Sequence, residues 1–188
     1  LHLRPEELSE GIAGMKAAGF FGFNVTIPHK SAVFDAVDDM SETARRVGAV
    51  NTVAIEGDSL TGHNTDAPGL RRAVREAFSM DLRDLRVMII GAGGGAGRGA
   101  AVQCAMDHCE RLVLVNRTVD KARELAVELR DAFHDPDRLE GPADRLVAIP
   151  WEERLMEREL GQIDLIINAT SLGMKRTDAE VLPRRLIQ

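Results

Sequence analysis

The stretch Arg86-Val87-Met88-Ile89-Ile90-Gly91-Ala92-Gly93-Gly94-Gly95-Ala96-Gly97-Arg98-Gly99 decides how the chain is read. An apolar run over 87–90 feeds directly into a glycine-rich turn. Residues 96–106 are small and apolar and predict a helix. Strand, glycine turn and helix in that order form the phosphate-binding opening of a dinucleotide domain. The first glycine permits the tight turn, and the second lets backbone approach a pyrophosphate. A small third residue lets helix and strand pack closely. The helix start then offers unpaired N–H groups and a positive dipole end to an anion. Gly91, Gly93 and Ala96 fit G-x-G-x-x-A, with Gly97 as an alternative third position. A merely flexible glycine loop is the competing explanation.

Downstream, strands and helices alternate. Residues 111–115 predict a strand and 119–133 a helix with Ala122, Leu125, Ala126 and Leu129 on one face. A polar loop over 134–144 leads to a strand at 145–149, a helix at 151–160 and a strand at 163–168. Near-continuous apolar strands between helices predict an α/β fold, a Rossmann-type doubly wound parallel sheet over 82–188. Residues 1–80 predict a smaller α/β unit of their own. Its first helix carries Leu8, Ile12 and Met15 on one face and ends at Gly19. A strand at 20–27 is followed by a helix opening at Pro28 and a helix at 41–47 capped by Ser41. A strand at 49–55, a return strand at 60–63 and a helix at 67–78 complete the unit. Substrate and cofactor are expected to meet in the cleft between the units.

Bulk composition narrows the function. The 188 residues carry a net charge of −6, with no basic surplus to neutralise a nucleic-acid backbone. Aromatics make up 4% and tyrosine is absent, so the core rests on Leu, Ile, Val, Ala and Met. No apolar run reaches membrane-spanning length. Cys104 and Cys109, five apart on a predicted helix, face different directions and read as reduced thiols of a cytoplasmic protein. The start at Leu1 and stop at Gln188 read as part of a longer protein.

Three polar residues stand out in the first half. Lys30 falls in a first helical turn, where the dipole disfavours a cation. Asp66 sits at a helix start, which ordinary capping would also explain. Asn51 lies between apolar neighbours, and its amide must find backbone or ligand partners. In the second half, the strand after the glycine loop ends in Asn116-Arg117-Thr118. An NAD site would place a carboxylate there to hold the ribose 2′-OH. An arginine stands there instead and can pair with a 2′-phosphate, with Asn116, Thr118 and Lys121 near by. This pattern predicts NADP as cofactor; Asp120 is the nearby acid that argues the other way.

Six stretches, in this order, resemble the shikimate dehydrogenase family, which includes the shikimate/quinate dehydrogenases. They are Asn24-Val25-Thr26-Ile27-Pro28-His29-Lys30, Gly48-Ala49-Val50-Asn51-Thr52, Gly62-His63-Asn64-Thr65-Asp66, the glycine loop, Asn116-Arg117-Thr118, and Asn168-Ala169-Thr170-Ser171-Leu172-Gly173-Met174. The resemblance implies reduction of 3-dehydroshikimate to shikimate with NADPH, in chorismate and aromatic amino-acid biosynthesis. It implies a substrate-binding catalytic domain over 1–80 and an NADP-binding domain over 82–188, both incomplete. By similarity, Lys30 and Asp66 are the catalytic pair, and Thr26, Asn51, Lys30 and Asp66 bind substrate. The cofactor residues it implies are Gly91, Ala92, Gly93, Gly94, Gly95, Ala96, Asn116, Arg117, Thr118 and Lys121, with Thr170 and Ser171 near the nicotinamide. No metal is expected. The expected partner is the small-molecule substrate, not nucleic acid or membrane, and homodimerisation stays open. The chain departs from the family pattern in three places. It lacks the upstream Ser-x-Ser segment and the C-terminal segment bearing a substrate-contacting Gln, and its glycine loop carries one extra small residue. The alternatives are a quinate/shikimate dehydrogenase and a non-catalytic NADP-binding module.

Overall fold

The computed structural model describes residues 1–26, 28–134 and 145–186. The chain forms two compact units, Leu1–Gly69 and Leu70–Gln188.

The first unit holds helix α1 (Leu8–Ala17), strand β1 (Gly22–Asn24), helix α2 (Lys30–Phe34), strand β2 (Asp39–Met40), helix α3 (Glu42–Val47) and strands β3 (Thr52–Glu56) and β4 (Ser59–His63). The sheet order is β1-β3-β4-β2, with β1 and β4 antiparallel to β3 and β2 parallel to β4. Ile12 and Met15 are buried with Val25, Val33, Ala44, Val50, Val53 and Leu60, as the spacing of the first helix requires. Ser41 caps α3 by accepting from the Ala44 N–H, and Gly48 ends it in the left-handed region at φ 71°.

Three elements are shorter than expected. Of the strand predicted over 20–27, Ile27 lies outside the described residues; among the rest only Gly22–Asn24 is strand, and Phe20 and Phe21 are exposed. The chain leaves the ladder because it must turn: the His29 N–H donates to Thr26 O (2.9 Å) just before the helix. Helix α2 begins at Lys30, not Pro28, with His29 as its N-cap. The predicted 49–55 strand starts at Thr52, yet its lead-in stays tied. Val50 N–H donates to Lys30 O and Asn51 N–H to His63 O, both at 3.0 Å.

Helix α4 (Asp66–Phe78) carries the chain into the second unit. That unit contains β5 (Arg86–Ile90), α5 (Gly95–Met106), β6 (Arg111–Asn116), α6 (Val119–Leu129), β7 (Leu146–Pro150), α7 (Glu153–Leu160) and β8 (Leu165–Asn168). All three strand pairings are parallel and the order is β7-β6-β5-β8. The central strands are buried on both faces. Val87, Ile89, Leu112 and Leu114 join one core with α5 and α6, and Met88, Ile90, Val113 and Val115 join the other with Met156 of α7. This is the doubly wound parallel sheet expected from the alternating pattern. The predicted 119–133 helix tightens into a 3₁₀ turn from Arg130 onward. The predicted 134–144 loop lies outside the described residues apart from His134.

The cysteine geometry corrects the sequence reading. Helix α5 ends at Met106, before Cys109, and His108 adopts φ 53°. The chain therefore doubles back, and the Cys109 N–H donates to Cys104 O (3.0 Å). Both thiols are buried and free. A hydrogen bond with Cys109, then burial, holds the Cys104 thiol well above its ordinary pKa.

Asp164 fixes the start of β5. It accepts from the Arg86 backbone N–H (2.9 Å) and from both ends of the guanidinium (2.9 and 2.7 Å). These bonds lower its pKa to about 2. A depressed carboxylate pKa contributes stability above the ordinary carboxylate range and loses it as pH falls through the folded value. Asp164→Asn is thus expected to melt a few degrees lower at neutral pH. The difference from wild type should vanish as pH falls toward about 2, which calorimetry across acid pH would check.

Candidate functional site

In the first unit the turn at Thr26 and the short helix α2 bring Lys30 onto Asp66. Lys30 Nζ lies 2.6 Å from Asp66 Oδ2, with 30% of the lysine side chain and 55% of the aspartate exposed. Lys30 is therefore no free surface cation. Its charge, misplaced at the start of its own helix, is answered by a carboxylate at the start of α4, where the dipole favours an anion. Nor is Asp66 needed as a cap. Buried Asn64 accepts from the Ala67 N–H (3.2 Å) and donates to Ala49 O (3.0 Å), so it closes the helix start instead. Asn51, also buried, finds its partners within the protein. Its Oδ1 accepts from Thr65 N–H (2.9 Å) and Thr52 Oγ1 (3.0 Å), and its Nδ2 donates to Thr65 Oγ1 (3.0 Å). Asn51 thus fixes the residue immediately before Asp66. Thr26 is exposed, and its carbonyl accepts from His29 N–H.

In the second unit the glycine loop follows β5 as predicted, but its register differs from G-x-G-x-x-A. Gly91 stands at φ 92°, which a side chain would strain. A Cβ at Gly93 would meet Asn116 Nδ2 at 2.7 Å and Lys121 Cβ at 2.8 Å. The third tight position is Gly97, not Ala96. A Cβ at Gly97 would collide with Gly91 O and lie 2.7 Å from Ala92 Cα, whereas Ala96 is exposed. The loop therefore runs G-x-G-x-x-x-G, and the extra small residue sits between the second and third tight positions. Gly94 is the N-cap of α5, so the N–H groups of Gly95, Ala96 and Gly97 open the helix without intrahelical acceptors. This glycine cradle, which side chains would fill, suits a pyrophosphate.

The tip of β6 lies beside it. Asn116 spends its amide on the protein, accepting from Gly93 N–H (3.2 Å) and donating to Thr118 O (2.8 Å). It shapes the loop instead of presenting a free amide. Arg117 is exposed, with its guanidinium 5.2 Å from the centroid of Trp151. Asp120 pairs with Arg123 (2.9 Å), so its charge is engaged away from Arg117. Thr118 begins α6 without using its side chain as a cap. Lys121 lines a small cavity of about 210 Å³ with Ala92, Gly93 and Arg98.

The β8 tip completes the site. β5 and β8 are neighbours, while the chain goes from β5 to β6 on the other side. They flank the switch point where open parallel sheets bind ligands. The gap there is tight: a Cβ on Gly91 would lie 2.7 Å from Thr170 Cγ2. Asn168 Oδ1 accepts from Thr170 N–H (3.0 Å) and Oγ1 (2.7 Å), and its Nδ2 donates to Leu172 O (2.9 Å). Ser171 is left exposed on this tied turn. Sequence reasoning missed Asn64, Asn168 and Trp151. Asn64 was the most accessible, as an Asn just ahead of a helix start.

A parallel sheet opened by this cradle, with arginine in place of a carboxylate at the β6 tip, defines a dinucleotide-binding α/β protein. Comparison with known proteins gives the family. Residues 1–53 match the shikimate dehydrogenase substrate binding domain, and residues 72–149 match shikimate / quinate 5-dehydrogenase. The shikimate dehydrogenase (NADP(+)) of Geobacillus sp. (strain WCH70) is 40% identical over 92% of this chain and 57% of its own length. That of Moorella thermoacetica is 41% identical over 96% of this chain and 58% of its own. The solved shikimate 5-dehydrogenase of Thermus thermophilus, in complex with NADP(H) and shikimate, is 32% identical with a TM-score of 0.78, over 98% of this chain and 60% of its own. The chain belongs to the shikimate/quinate dehydrogenase family and spans somewhat under two thirds of the length of these relatives.

Proposed function

We propose that the native polypeptide is an NADP-dependent shikimate dehydrogenase, interconverting 3-dehydroshikimate and shikimate in aromatic amino-acid biosynthesis. The observation that carries this reading is the Lys30–Asp66 pair at 2.6 Å. A protein that merely stored a dinucleotide has no use for it. The glycine cradle with Arg117 and Lys121 would hold NADP, and Thr170 and Ser171 would face its nicotinamide end. Bound there, the cofactor supplies or accepts the hydride. Lys30, with Thr26 and Asn51, would orient the substrate. Reduction of a ketone builds negative charge on its oxygen, and the Lys30 ammonium can hydrogen-bond that oxygen and deliver the proton. In the oxidising direction Lys30 accepts the alcohol proton. Asp66 keeps the ammonium in place and can take a hydrogen bond from a substrate hydroxyl.

The substrate is then the small-molecule partner. Among the described residues no helix is long and apolar enough to cross a membrane, and a cytoplasmic enzyme is part of the proposal.

Purified native polypeptide should reduce NADP in the presence of shikimate, faster than with quinate and faster than with NAD. NADP binding with no turnover of either acid would leave a non-catalytic module and overturn the proposal.

A further inference from the structure

We propose that Trp151 is a positioning residue for cofactor choice, a platform that holds the Arg117 guanidinium ready for a ribose 2′-phosphate. The inference rests on the NADP reading of the preceding subsection. A long exposed arginine at a strand tip samples many rotamers, and ordering it on binding costs conformational entropy. Here that freedom is already reduced. The guanidinium sits over the indole face, 5.2 Å from its centroid. The indole itself is anchored. Trp151 follows β7 directly, its backbone N–H donates to Asn116 O (3.2 Å), and its side chain packs half-buried on the core holding Val115, Ile149 and Met156. Arg117 and its platform thus hang from one pair of strand ends, where Asn116 lies opposite Pro150.

The stack leaves the charge available. An indole attracts a guanidinium through its face while the N–H groups stay on the rim, free for a phosphate. A carboxylate partner would have spent those N–H groups and neutralised the charge. The nearest acid in sequence, Asp120, is instead paired with Arg123. Trp151 therefore favours the phosphorylated ribose without touching it.

Trp151 is the chain's single tryptophan, so its emission reports the stack directly. Titrating adenosine 2′,5′-bisphosphate into the wild-type protein, with binding followed in parallel by calorimetry, should change that emission saturably; 5′-AMP should not. Trp151→Leu should weaken the bisphosphate by about two- to fivefold, the range of an exposed cation–π contact, and leave NAD affinity unchanged. Trp151→Phe should recover most of the loss, which a purely structural role would not predict. Arg117→Leu separates the two levels. If it loses the bisphosphate while Trp151→Leu binds it as wild type, the platform is overturned and the NADP reading stands. If Arg117→Leu also binds as wild type, the NADP reading falls and the platform with it. Should Trp151→Leu fail to fold, the wild-type titration decides: saturation by calorimetry with no change in emission overturns the inference.

Discussion

Lys30→Met should abolish most turnover in the native polypeptide while leaving the fold intact. Proton delivery by a positioned side chain contributes roughly 10²–10⁴ to rate, and kcat should fall by that range. The contrast with stability makes this expectation sharp. The Lys30–Asp66 pair is partly exposed on both sides, and such pairs contribute about 0–1 kcal/mol to folding. A loss of activity with a nearly unchanged melting temperature therefore assigns the pair to chemistry and not to architecture. Asp66→Asn should cost less, roughly 10–100-fold, the value of one charge-assisted hydrogen bond, because the lysine keeps its proton-donating atom. Neither change touches the glycine cradle, so NADP affinity should stay at its wild-type value. Near-normal shikimate oxidation by Lys30→Met would remove the lysine from the mechanism.

How far the sequence foretold this molecule depends on how local the signal is. The second unit was legible because burial on both faces writes itself into a strand: 87–90 and 112–115 are unbroken apolar runs, and both are buried. The helix faces of α1 and α6 were legible for the same reason, through their spacing. Element ends were less so. The end of β1 is set by the turn from Thr26 to His29, and the end of α5 by His108 entering the left-handed region. Propensity marks neither, and the second reverses the expected geometry of the two cysteines. In the first unit, Lys30 and Asp66 could each be flagged from position alone, as a cation at a helix start and an acid at another. That they meet is a contact across 36 positions, which no periodicity encodes. The same holds for Trp151 beneath Arg117. The work of Asn51, Asn64 and Asn116 was hidden differently. An amide gives and takes hydrogen bonds equally well with backbone or ligand, so its residue type cannot say which. Here each is bonded to the protein's own loops.

The glycine loop yields the second large effect, because two adjacent residues compete for one role. Gly97→Ala should be severely damaging and Ala96→Gly nearly silent, the reverse of what G-x-G-x-x-A predicts. The reason is what surrounds each position. A methyl on Gly97 meets backbone, namely Gly91 O and Ala92 Cα, and backbone cannot step aside as a side chain can. Overpacking of this kind costs about 1–3 kcal/mol when the structure can yield. Here the yielding part is the turn on which the cradle depends. The helix start would be pushed from β5, and the N–H groups of Gly95, Ala96 and Gly97 would lose their common aim. NADP affinity should fall by tenfold or more, at roughly 1.4 kcal/mol per factor of ten, together with a lower melting temperature. Ala96 is exposed within the first turn of α5. Replacing it with glycine removes only helix propensity, at most about 1 kcal/mol, and leaves the cradle as it is. Calorimetric titration of NADP into both variants distinguishes the registers. Equal binding by Gly97→Ala and wild type would return the third position to Ala96.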